Sequence, residues 1–122
     1  MKSFPFTRID HVQLAMPPDQ EEAARVFYCG LLGMVEIPKP SKLAKRGGAW
    51  FSSGSVQIHL GVEQDFRSTK KAHPALICRD YDALAGALGR AGIKITDDNS
   101  IPGVRRCHIQ DPFGNRIELI AG

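Results

Sequence analysis

The stretch Asp111-Pro112-Phe113-Gly114-Asn115-Arg116-Ile117-Glu118-Leu119 decides how this chain is read. Its first five residues bring together Asp, Pro, Gly and Asn, each of which favours a tight reversal for its own steric or hydrogen-bonding reason. On either side the polarity alternates. Before the turn Cys107 and Ile109 oppose Arg106, His108 and Gln110; after it Ile117 and Leu119 oppose Arg116, Glu118 and Ile120. Period two is the mark of a half-buried strand. Residues 105–110 and 116–120 are therefore predicted to form a hairpin with one apolar face and one face bearing His108 and Glu118.

Upstream, 73–78 reads as a strand entered at His73, and 81–91 as an amphipathic helix with Leu84, Leu88 and Ala91 on one side, Asp80 as cap and Gly92 as stop. A short strand is expected at 94–96. The first half carries the same order. Alternation predicts a strand from Ile9 to Ala15, with Val12 and Leu14 opposite His11 and Gln13. A helix follows Pro17-Pro18, capped by Asp19, with Ala24, Phe27, Tyr28 and Leu31 at helical spacing and Gly33 as stop. Strands are then expected at 34–37, 49–52 and 56–60, and the basic 38–48 segment between them reads as a loop. Each half is strand, helix and three strands, with a period of about 60 residues, so the chain is a duplication rather than a solenoid. In this alignment His11 matches His73, each at the start of a first strand, and His59 matches Glu118, each within a last strand.

Bulk properties are those of an ordinary globular chain: 122 residues, 43% hydrophobic, 24% charged, net charge +3. One domain over 1–122 is expected, with modules at about 8–62 and 72–121. A chain of this size buries roughly two thirds of its unfolded surface without help from a metal or disulfide, so any metal site is expected to be functional. The basic cluster Lys39, Lys42, Lys45 and Arg46 is too sparse for a nucleic-acid face. Cys29, Cys78 and Cys107 are odd in number and form no C-x-x-C pair, which fits a reducing compartment. Charge interrupts the amino terminus, and no apolar run approaches the roughly 20 residues of a membrane span. A cytoplasmic protein with no membrane or nucleic-acid partner is the expectation.

Strand parity collects all four histidines, His11, His59, His73 and His108, on the polar faces with Glu118, Gln13, Gln57 and Gln110. A buried carboxylate among imidazoles needs a compensating charge, and a divalent cation supplies one. Imidazole and carboxylate suit iron, nickel, zinc, cobalt or manganese.

Four segments make the resemblance specific: Ile9-Asp10-His11-Val12-Gln13-Leu14; Phe27-Tyr28-Cys29-Gly30-Leu31-Leu32-Gly33-Met34; Lys71-Ala72-His73; and above all residues 111–119. Together they resemble the vicinal oxygen chelate superfamily, which includes glyoxalase I, extradiol dioxygenases, fosfomycin-modifying transferases and bleomycin-binding proteins. The resemblance runs from about residue 9 to 120. It implies an α+β fold of two βαβββ modules forming a cupped eight-stranded mixed sheet with helices on the outer face. It places metal ligands at His11, His73 and Glu118, with His59 at the fourth position. There the sequence departs from glyoxalase I, which typically carries a carboxylate.

The resemblance implies a metal-dependent, glyoxalase-like lyase or isomerase acting on a small substrate with vicinal oxygens, with Glu118 or His59 as base. Gln13, Gln57, Arg106, His108 and Gln110 are the expected substrate contacts, His108 as a cavity wall. An iron(II) dioxygenase and a non-catalytic, antibiotic-sequestering protein are the alternatives. A homodimer is expected, with the site either within one chain or across two.

Overall fold

The computed structural model describes residues 2–122. In the first half, β1 (Val12–Met16) leads into helix α1 (Glu21–Arg25), which continues without a break as a π-helical segment, Val26–Leu31. Strand β2 (Val35–Ile37), short helix α2 (Ser41–Ala44), β3 (Ala49–Ser53) and β4 (Val56–Val62) follow. The second half is β5 (Ala75–Cys78), α3 (Tyr81–Arg90), β6 (Thr96–Asp97), β7 (Arg106–Gln110) and β8 (Arg116–Ala121).

The fold is α+β, and its two halves share one topology. Strand orders are β1-β4-β3-β2 and β5-β8-β7-β6. In each sheet the first strand pairs parallel with the last, and the remaining pairs are antiparallel. The eight strands are thus hydrogen-bonded as two four-stranded mixed sheets, and among the described residues no ladder joins them.

Alternation selects the core as expected. Ile58 and Leu60 of β4, Phe51 of β3, Cys107 and Ile109 of β7, and Ile117 and Leu119 of β8 are all buried. The helices cover these apolar faces with Ala24, Phe27 and Tyr28 from one half and Tyr81 and Leu88 from the other. Tyr28 stacks on Phe51 with ring centroids 5.2 Å apart. The wider π-helical turn accompanies the burial of two consecutive aromatics, Phe27 and Tyr28, which adjacent positions of a regular α-helix would point about 100° apart.

The Asp111–Asn115 turn also joins the halves. Asp111 Oδ1 accepts from the backbone N–H groups of Phe113 and Asn115, both at 2.9 Å, closing the reversal. Its Oδ2 accepts from the Tyr28 hydroxyl at 2.8 Å and from Asn115 Nδ2 at 3.0 Å. Asn115 Nδ2 also donates to the Ala15 carbonyl at 2.8 Å, and its Oδ1 accepts from the Thr69 N–H at 3.2 Å. One buried amide thus ties hairpin, connecting segment and β1 together.

Local boundaries differ from the expectation in several places. β1 and β5 begin at Val12 and Ala75, so His11 and His73 stand just before their strands, and the expected 38–48 loop contains the short helix Ser41–Ala44. The first helix is preceded by Gln20 and not capped by Asp19, which sits at φ 64° in the left-handed region that Asp tolerates. The sixth strand is only Thr96–Asp97; Asp98 still donates its N–H to the Arg106 carbonyl at 3.1 Å, while its carboxylate accepts from the N–H and hydroxyl of Ser100 and the chain turns there.

Candidate metal centre in two halves

Backbone register sets two matching rows of side chains. Across the first sheet Gln13, His59 and Trp50 lie side by side; across the second, Ala75, Glu118, His108 and Thr96 do. His59 and Glu118 are therefore counterparts, as are Gln13 and Ala75, and two residues upstream His11 matches His73. Trp50 is the counterpart of His108.

The second row brings three potential ligands together. One ligand atom each from His73, His108 and Glu118 lies within 4.8 Å of the others. Glu118 Oε1 is 2.9 Å from His73 Nε2 and 3.5 Å from His108 Nε2. Glu118 is buried, at 6% exposure. Its other oxygen accepts from Arg106 Nη1 at 2.9 Å. That guanidinium holds the Glu118 carboxyl below the usual carboxylate range, with help from His73 and against the desolvation of burial. Arg106 is otherwise engaged by Asp98 and Ser100, each at 2.8 Å, which leaves it turned inward.

Within the first row the rings are stacked. His11 lies parallel to His59 with centroids 4.0 Å apart, and Trp50 lies against His59 at the same separation. His59 is 4% exposed and its Nε2 is 3.0 Å from Gln57 Oε1. Burial, followed by the neighbouring His11, pushes the His59 imidazole below its ordinary pKa. His11 Nδ1 is 2.9 Å from Asp10 Oδ2.

The expected ligands thus fall into two pairs, His73 with Glu118 and His11 with His59. Among the described residues the three-ligand cluster contains neither His11 nor His59. The charged groups acting on Glu118 are Arg106, His73 and His108; those acting on His59 are His11, Asp10 and Lys39. Of the expected substrate contacts, Gln13 is exposed on β1, Gln57 is held by His59, and Gln110 is exposed beside Arg116. His108 stands in the ligand cluster itself, its ring edge-on to His73. Pairing of 49–53 with 56–62 about Gly54 places Trp50 opposite His59. The other partners of Arg106, Asp98 and Ser100, lie in an irregular segment that carries no periodic signal.

The donor set suits a divalent ion. A neutral imidazole has a single N–H. The Lys71 carbonyl, 2.8 Å from His73 Nδ1, can only accept, so that nitrogen carries the proton. Nε2 lies 2.9 Å from Glu118 Oε1, so the pair is held either by a proton on Nε2 or by a cation between the two atoms. Ligand bonds of about 2.1 Å at right angles put neighbouring ligand atoms about 3 Å apart, close to the observed spacing. Outer hydrogen bonds from Nδ1 to carbonyl and from Arg106 to the distal carboxylate oxygen are of the kind that orient ligands.

A family profile described as the Glyoxalase/Bleomycin resistance protein/Dioxygenase superfamily matches residues 8–119. The chain belongs to this superfamily. A crystal structure of a glyoxalase family protein from Bacillus anthracis is 48% identical in sequence, covers 100% of this chain and 99% of its own, and superposes with a TM-score of 0.94. The superfamily fold extends to more distant structures. A genomically encoded fosfomycin resistance protein from Listeria monocytogenes has a TM-score of 0.75 at 15% identity, covering 97% of this chain and 95% of its own. A lactoylglutathione lyase from Agrobacterium tumefaciens has a TM-score of 0.71 at 19% identity, covering 98% and 96%. At such identities the likeness is one of fold. No curated protein matches the chain. No helix among the described residues of this superfamily member is long and apolar enough to cross a membrane.

Proposed function

We propose that the protein is a metal-dependent, glyoxalase-like enzyme of lyase or isomerase type, acting as one domain on a small substrate with adjacent oxygens. The observation that carries this is the convergence of His73, His108 and Glu118, which each bring one ligand atom within 4.8 Å of the others around a buried carboxylate. His73 and Glu118 are the ligands from the second module, with His108 beside them; His11 and His59 are the matching pair from the first. Since the two pairs are separate within a chain, a complete site is read as the union of halves from two chains of a homodimer.

A bound divalent ion would supply Lewis acidity to the substrate's neighbouring oxygens, stabilising the negative charge left when an adjacent proton is removed. The chain's own groups do the rest. Arg106 keeps the distal oxygen of Glu118 occupied and the carboxylate ionised, leaving Oε1 to bind or to accept a proton. His59, neutral and packed between two rings, is the alternative base. Gln13 and Gln110 present amides with which to orient the substrate.

A second reading rests on Arg106. Its ion pair already compensates the buried Glu118 charge without a metal, as a non-catalytic small-molecule-binding protein would require. Elemental analysis of protein purified without added metal separates the two. The enzyme reading expects stoichiometric first-row metal or its recovery on reconstitution, and Glu118→Gln should abolish retention while circular dichroism stays native. Absence of metal in the wild type after reconstitution, or full retention in the variant, defeats it.

A further inference from the structure

The second sheet carries a cavity of about 590 Å³ at its outer edge, where β6 ends and leaves the Ile109–Gln110 end of β7 uncovered. A volume of that order is typical of small-molecule sites. His108 lines it and also belongs to the ligand cluster, so cavity and cluster share a wall. Three cations, Lys70, Lys94 and Arg116, border the same space. None of the three is ion-paired among the described residues, in contrast to Arg25, Arg105 and Arg106. Arg116 spends one N–H on the Lys70 carbonyl at 3.3 Å, which brings the two residues to one corner. The one carboxylate on the wall, Asp111, is turned inward onto Tyr28, Phe113 and Asn115.

Register fixes the distance between this basic corner and the candidate metal. Gln110 pairs with Arg116, and His108 with Glu118. The two pairs are consecutive same-face steps along the hairpin, about 7 Å apart. Lys94 precedes Thr96, the cross-strand neighbour of His108, by the same step.

We propose that this cavity is an anion subsite in which Lys70, Lys94 and Arg116 hold a phosphate or carboxylate group of the substrate, about one same-face strand step, or ~7 Å, from the atoms engaged at the His73–Glu118 cluster. This rests on the proposed enzyme function for its reference point and adds the substrate class: a doubly functional small molecule, anionic at one end and carrying adjacent oxygens at the other. The uncompensated cations stay hydrated in the free protein and exchange water for the anion on binding, with Gln110 and Thr96 offering neutral hydrogen bonds.

Full-length protein as purified can be titrated at low salt with inorganic phosphate and, separately, with malonate, following the amide resonances of Gly92, Ile93, Thr96 and Gln110. Saturable shifts are expected with at least one anion; the tighter of the two identifies a phosphoryl or a carboxyl group as the natural one. The Lys70→Gln/Lys94→Gln double variant should bind at least about tenfold more weakly. Wild type stripped of metal with a chelator should bind the anion as before, so the subsite is judged independently of metal retention. No saturable shift with either anion, equal affinity in the double variant, or loss of binding on metal removal overturns the proposal.

Discussion

Asn115 has no exposed surface, and its amide is satisfied from both ends: two donations, to Ala15 and Asp111, and acceptance from Thr69. Truncation to Ala leaves the Ala15 carbonyl and one Asp111 oxygen short of a donor. An expected loss of about 3 kcal/mol follows from unsatisfied buried groups of this kind, measured by urea unfolding. Asp111 adds a pH dependence. Burial raises its carboxyl pKa above the usual range despite four donors. A raised acid holds its proton more tightly folded than unfolded. The contribution of Asp111 is therefore fullest below the unfolded pKa and is lost as pH rises through the folded one. The stability gap between wild type and Asp111→Asn should widen on going from pH 7 toward pH 4; a gap that narrows contradicts the assigned direction. These residues explain why the D-P-F-G-N turn was the most informative part of the sequence. It specifies a reversal by its composition, and a junction by its Asp and Asn. The junction was not legible, because its partners Tyr28, Ala15 and Thr69 lie 46 to 100 residues away.

At the scale of elements, period-two alternation sorted β4, β7 and β8 correctly, since the buried apolar residues of each fall on one face, although His59 and Glu118 are buried on the other. It could not reveal β6 as a two-residue strand, because the chain turns through the Asp98–Ser100 hydrogen bonds just after the Asp98 N–H has reached the Arg106 carbonyl. Nor could helical spacing foresee the π-helical segment, where the register of backbone bonds widens without any change in residue type. Strand pairing also exposes what one glycine does. Gly48 has φ +85°, and a Cβ there would lie 2.1 Å from the Leu60 carbonyl oxygen. Gly48→Ala must displace either β3 or β4 and should cost more than about 3 kcal/mol. Gly33→Ala meets nothing within 4 Å although φ is +72°, and should cost only about 1 kcal/mol. The register that seats Gly48 also sets Trp50 against His59. Since Trp50 is the one tryptophan of the chain, its fluorescence reports on that ring directly. Metal addition should change Trp50 emission in wild type and leave it unchanged in His59→Ala, if His59 is a ligand.

For the whole molecule, duplication makes the site legible as two equivalent pairs and leaves their assembly open. His11 matches His73 and His59 matches Glu118, yet the one three-ligand cluster among the described residues lies wholly in the second module. Sequence cannot supply this, because the pattern along a chain is the same whether halves meet within it or across two copies. Complementation decides it. His59→Ala damages every first-module half and Glu118→Gln every second-module half. If sites span two chains, a mixed dimer has one site with both lesions and one with neither. Unfolding and refolding the two variants together in equal amounts should then restore metal binding and activity to about a quarter of the sites, for random pairing of a two-fold dimer. Each variant refolded alone should restore none. Recovery in the mixture places His11 and His59 opposite the partner's His73 and Glu118; no recovery, with both variants natively folded and dimeric, means that any complete site closes within one chain.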